Sequence, residues 1–138
     1  MNDMMTFEEF EAAVGEVSLE IPDELFDKLN GGIAVKPEAK LHAMSQPRRP
    51  LYIAGEYSRS QTMWLILVYY GSFVRLYGRL SDDEVRQKIS GVLRHELRHH
   101  WESLSGERGL EIEDEENIYA YLAEAEELPG PDTVYWER

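Results

Sequence analysis

Trp64-Leu65-Ile66-Leu67-Val68 is apolar at every position, and this run constrains the fold more than any other stretch. A half-exposed strand alternates apolar and polar residues, and an amphipathic helix spaces its apolar residues three or four apart. An unbroken run does neither, so it predicts a strand covered on both faces. The stretch around it, Met63 to Tyr70, is the longest apolar run of the chain. It falls far short of the ~20 residues that a membrane-spanning helix needs, so no membrane partner is expected.

The rest of the chain supplies layers for such a strand. Ile33-Ala34-Val35 and Leu51-Tyr52-Ile53-Ala54 are β-branched and aromatic, which predicts two more strands, with a candidate fourth at Phe73 to Tyr77. Between the first two, the Met44 to Pro50 stretch, with Arg48 and Arg49 beside prolines, reads as a surface loop. Thr6-Phe7-Glu8-Glu9 has the form of a capping box, and Phe7, Phe10, Ala13, Val14 and Val17 then repeat on one helical face. A short helix is expected from Pro22 to Leu29, stopped by Asn30-Gly31-Gly32. A second capping box, Ser81-Asp82-Asp83-Glu84, opens a long helix to about Leu104. Its residues Val85, Ile89, Val92, Leu93, Leu97 and Leu104 fall within a ~140° arc. Gly106 and Gly109 break that pattern. A last helix is expected from about Glu113 to Glu126, with residues from about 127 to 138 as a C-terminal tail. The expectation is one α+β domain over residues 1–138, a small mixed or antiparallel sheet packed on a long helix with helices at both ends.

Charge and cysteine content narrow the function. The formal net charge is -13, which opposes unassisted nucleic-acid binding because a polyphosphate would be repelled. With no cysteine, there is no disulfide framework and no thiolate, and any metal must be held by histidine and carboxylate. The first residues show no basic segment followed by an apolar one, so a cytoplasmic protein without a signal peptide is expected.

Three of the four histidines lie together in His95-Glu96-Leu97-Arg98-His99-His100. On a helix His95 and His99 stand one turn apart on the same side, about 6 Å from each other, and can share one ion. Glu96 follows the first ligand directly, where its carboxylate reaches a water on the ion rather than the ion. With Val92 at zero, His99 falls at about -20° and His95 at about -60°, at the margin of the apolar arc and so in a cleft roofed by the sheet. This is the H-E-x-x-H arrangement that holds zinc and takes a proton from the water it activates. A catalytic zinc site needs a third protein ligand. Glu102 lies about 10.5 Å along the axis from His95, which suits a hydrogen bond to an imidazole better than a bond to the metal, though it stays an alternative ligand. The better source is Glu111-Ile112-Glu113-Asp114-Glu115-Glu116, with Asp114 foremost and Glu113 and Glu111 as alternatives. The competing reading of these acids is the first turn of the last helix, where carboxylates suit the dipole.

At these residues the chain resembles the small single-domain bacterial zincin-like metallopeptidases, the minimal zincins. The resemblance is carried by Thr6-Phe7-Glu8-Glu9-Phe10, Ile21-Pro22-Asp23-Glu24-Leu25-Phe26, Tyr52-Ile53-Ala54-Gly55-Glu56-Tyr57 and Val92-Leu93-Arg94-His95-Glu96-Leu97-Arg98-His99-His100. The doubled histidine at 99 and 100 is typical of that group. The resemblance implies a zincin-like α+β domain, Zn²⁺ on His95 and His99, and Glu96 as general base. It also implies a departure: Glu102 stands where the group commonly has Gly, and Ser105 where one aspartate ligand would fall. Ser103 to Glu111 then reads as an insertion, and Asp114 inherits the ligand role.

Other candidates read as structural. His100, near +80° and within the apolar arc, is expected to be packed or hydrogen-bonded. His42 is expected at the surface or capping a turn. Tyr69 and Tyr70 read as core, with a phenol aimed at an oxyanion as the lesser alternative. Trp64, Trp101 and Trp136 read as packing anchors. The function expected is zinc-dependent hydrolysis of peptide bonds, with a peptide or protein substrate paired to an exposed sheet edge. The alternative is a non-catalytic module, either metal-stabilised or binding a partner through its acidic face.

Overall fold

The computed structural model describes residues 4–43, 45, 47, 50–108 and 134–135. Glu111, Glu113 and Asp114, the helix expected from Glu113 to Glu126, Arg48, Arg49 and Trp136 lie outside the described residues. Within them the chain is an α+β domain, as expected.

Helix α1 runs Phe7–Ser18. The Thr6 hydroxyl accepts from Glu9 N at 3.1 Å, and Thr6 N donates to the Glu9 carboxylate at 2.8 Å. Two amides that the first turn leaves open are thus satisfied. Phe10, Ala13, Val14 and Val17 form the buried face.

The helix expected from Pro22 to Leu29 is a single 3₁₀ turn, Asp23–Phe26. The reason is competition for its carbonyls. Trp101 Nε1 donates to Leu25 O at 2.9 Å and His100 Nε2 to Asp27 O at 2.6 Å, so oxygens that an α-helix would use are taken by the long helix instead.

Strand β1 (Gly32–Lys36), β4 (Gly55–Arg59) and β5 (Trp64–Tyr69) form one sheet in the order β1-β5-β4, and β2 (Lys40–Leu41), β3 (Tyr52–Ile53) and β6 (Val134–Tyr135) form another in the order β2-β3-β6. β1 runs parallel to β5, Gly32 opposite Leu65, while β4 is antiparallel, Gly55 opposite Val68. β6 pairs parallel with β3, so part of the expected tail belongs to a sheet. β5 is central, yet its two faces differ: Ile66 and Val68 are fully buried, whereas Leu65 and Leu67 are only partly so. The run expected to be covered on both faces is covered fully on one among the described residues.

The candidate strand at Phe73 to Tyr77 is helical instead: α2 covers Tyr70–Tyr77 and follows β5 without a loop. Its spacing explains this, because Phe73 and Tyr77 are one helical turn apart and both buried. Phe73 packs against Phe10 at 4.8 Å and Tyr77 at 5.3 Å between ring centroids.

Helix α3 spans Asp82–Arg108, passing through Gly106 rather than stopping before it. The Ser81 hydroxyl accepts from Glu84 N at 3.2 Å, and Ser81 N donates to the Glu84 carboxylate at 3.0 Å. Val85, Ile89, Val92, Leu93, Leu97 and Leu104 are buried between the β1-β5-β4 sheet and α1. No helix among the described residues is long and apolar enough to cross a membrane.

Candidate functional site

The buried stripe of α3 fixes what its neighbouring positions face. His95 and His99, one turn apart beside that stripe, have ring centroids 4.9 Å from each other and planes at 88°. The Nε2 atoms of both rings are covered by protein. His95 is 8% exposed and Glu96 is fully buried, with both carboxylate oxygens covered. A buried ionisable group next to two neighbouring imidazoles is an uncommon arrangement, since burial disfavours charge.

The rings are held in different ways. The His99 Nδ1–H donates to the Glu102 carboxylate at 3.0 Å. A carboxylate can only accept, so a neutral His99 carries its proton on Nδ1 and its lone pair on Nε2. Glu102 is thus placed as a hydrogen-bond partner of the His99 imidazole, the arrangement that its distance from His95 suggested. His100 has both nitrogens engaged. Its Nε2–H donates to Asp27 O and its Nδ1 accepts from the Tyr57 hydroxyl at 2.9 Å. Burial holds its pKa below the ordinary histidine value. His100 is a buried, hydrogen-bonded strut between α3, β4 and the 3₁₀ turn, packed as its wheel position predicted.

β4 lies directly over this face, and Gly55 makes the approach possible. A Cβ built there would sit 2.4 Å from Val92 Cγ1, 3.1 Å from Leu67 O and 3.7 Å from Glu96 Cγ. Gly55 was not singled out by sequence reasoning, although it falls inside the Tyr52 to Tyr57 segment. Gly55→Ala should cost about 1–3 kcal/mol in urea unfolding, because Val92 is stiff about χ1 and Leu67 O is backbone. Val92→Ala in the same chain should recover part of that loss, which a double-mutant cycle measures.

The other candidates fall elsewhere. The Tyr69 hydroxyl donates to Glu56, which also pairs with Lys40 at 2.7 Å, and the Tyr70 hydroxyl donates to Met5 O. Burial first, then the Glu56 bond and charge, raise the Tyr69 pKa well above the usual phenol range. Both tyrosines are thus structural. His42 is buried rather than at the surface, with its backbone N donating to Leu51 O at 2.9 Å. Trp101 anchors the 3₁₀ turn, and Trp64 packs edge-on to His100.

Chemically, the face offers two imidazole nitrogens of the kind zinc takes, together with a carboxylate placed to handle a proton. The donor set fits two of the three protein ligands of a catalytic site. Among the described residues no third histidine or carboxylate joins them.

No family model matches the chain, and no curated protein matches it. Among solved structures, the chain is similar to a conserved hypothetical protein from T. thermophilus, with 31% identity and a TM-score of 0.63. The match covers 74% of this chain and 99% of that one. The chain therefore belongs to the same family as this hypothetical protein.

Proposed function

We propose that this protein is a zinc-dependent peptidase in which His95 and His99 hold the metal and Glu96 is the general base. The observation that carries the reading is the juxtaposition on α3: two rings 4.9 Å apart with covered Nε2 atoms, and a fully buried carboxylate directly after the first. Glu102 supports it by holding the His99 ring through Nδ1, the kind of carboxylate–imidazole contact that orients a metal-ligating histidine. The third ligand is proposed to come from Asp114, with Glu113 and Glu111 behind it. These residues follow α3 directly in the sequence, which supports the choice.

The zinc ion, when bound, supplies Lewis acidity that polarises the scissile carbonyl and lowers the pKa of a water to about 7. Glu96 takes the proton of that water and returns it to the leaving amine. The close approach of Gly55 to Val92 and Glu96 shields this carboxylate from bulk water, which strengthens its electrostatic action. The proposed zincin-like fold rests on the same helix and sheet.

Zinc binding provides the test. The purified chain should take up one zinc per molecule, and zinc at a hundred times its Kd should add about 2.7 kcal/mol to unfolding free energy. His95→Ala should abolish both effects. Absence of bound zinc in wild-type protein supplied with it overturns the proposal. Zinc uptake without hydrolysis of any peptide in a mixed-sequence library leaves a metal-stabilised module in its place.

A further inference from the structure

Away from the histidine face, two hollows meet at the 3₁₀ turn. One, of about 650 Å³, lies between α1 and β1 and is lined by Val14, Leu19, Ile33 and Val35. The other, of about 610 Å³, lies between the turn and α3 and reaches Trp101. Asp23, Phe26 and Leu29 line both, which makes them halves of one groove.

Three features separate this groove from an ordinary surface dip. β1 is an outer strand, paired with β5 on one side only among the described residues. Such an edge offers backbone amides and carbonyls to an added strand. The loop that lines the second hollow is also held in a strained shape. Lys28 has φ 69°, a left-handed conformation that few residues other than glycine adopt. Hydrogen bonds from His100 to Asp27 O, from Trp101 to Leu25 O, and between the Asn30 amide and the backbone of Thr62 and Trp64 fix the loop around it. Strain fixed in this way is characteristic of binding sites. Finally, the groove is acidic: Glu11, Asp23, Glu24 and Asp27 line it, against the single base Lys28.

We propose that this groove docks an extended segment of a partner protein that alternates apolar and basic side chains. The segment adds to the outer edge of β1 and lays its apolar residues on Leu19, Ile33 and Val35. A lysine or arginine reaches past Phe26 toward the carboxylates of Asp23 and Asp27, which line the hollow beside it and suit a cation. Leu19, 81% exposed, gains a contact in this arrangement. A second copy of the chain is disfavoured as occupant, because two identical acidic rims would face each other. The proposal is independent of the metal reading, since His95, Glu96 and His99 do not line the groove.

The probes are two labelled nine-residue peptides, one alternating lysine with valine and one glutamate with valine, titrated into the full chain by fluorescence anisotropy and amide NMR. The lysine peptide should bind at least roughly tenfold tighter, a difference of about 1.4 kcal/mol. Its shifts should concentrate in β1 and residues 27 to 30. Asp23→Lys with Asp27→Lys should remove that advantage, whereas Glu38→Lys with Asp82→Lys, an equal change in net charge elsewhere, should leave it within about twofold. Glu11→Lys, at an exposed helix position, gives a second reading should the first pair not fold. No binding, equal binding of the two peptides, equal loss from both variant pairs, or dimerisation through β1 overturns the proposal.

Discussion

Glu96→Gln should lower peptide hydrolysis by about 10²–10⁴-fold while leaving zinc stoichiometry unchanged, the range that a positioned general base contributes. The side chain is fully buried, one residue past His95 and 3.7 Å from where a Cβ on Gly55 would sit. Glutamine keeps its shape, so the packing of β4 on α3 survives. What is lost is the ability to accept a proton from water and release it to an amine. A neutral amide is also cheaper to bury than a carboxylate, so the urea midpoint should stay the same or rise. This gain in stability with loss of turnover is the trade expected where a charged group is buried for chemistry rather than for folding. A library of quenched peptides measures the rate, and mass spectrometry measures the metal. Unchanged turnover with zinc in place would falsify the base assignment. A fall in the urea midpoint would instead mark Glu96 as a structural group.

The histidine face was legible because its signal is local. Four-residue spacing, a capping box at Ser81 and a stripe from Val85 to Leu104 all belong to one helix, and helical geometry turns sequence separation directly into distance. His100 was legible for the same reason. What the sequence hid depends on partners far along the chain. The turn at Asp23–Phe26 stops where it does because Trp101 and His100 take its carbonyls, and nothing between Pro22 and Leu29 announces that. The resemblance implied one strand from Tyr52 to Tyr57, whereas the chain forms two, β3 and β4. The residue pattern of Gly55-Glu56-Tyr57-Ser58-Arg59 does not mark β4 by itself, and its pairing with β5 and its packing on α3 dictate its conformation. His42 looked superficial because its burial comes from the surrounding fold. In Tyr70 to Tyr77, two periods competed. The apolar run suggested that the strand continued, yet Tyr70, Phe73 and Tyr77 also fit one helical face, and packing against Phe10 favours the helix.

That helix leads to the second large effect, the response of the core to Phe73→Ala. The ring is fully buried and is the central contact of an aromatic row, 4.8 Å from Phe10 on α1 and 5.3 Å from Tyr77 on its own helix. Truncation removes the transfer free energy of the ring and leaves a void that Phe10 and Tyr77 cannot fill without leaving their rotamers. About 3–5 kcal/mol should be lost, read as a lower urea midpoint with an unchanged slope. Against a typical domain stability of about 5–15 kcal/mol, that loss is enough to populate unfolded protein. Val74→Ala is the matched control. Val74 is 36% exposed on the outer side of α2, and alanine is the better helix former, so its effect should stay within about 0.5 kcal/mol and favour stability. In a strand the same pair would behave differently, because adjacent side chains point to opposite faces and valine outranks alanine there. A small gain at 74 beside a large loss at 73 is therefore the stability signature of a helix, and comparable losses at both positions would argue for the strand.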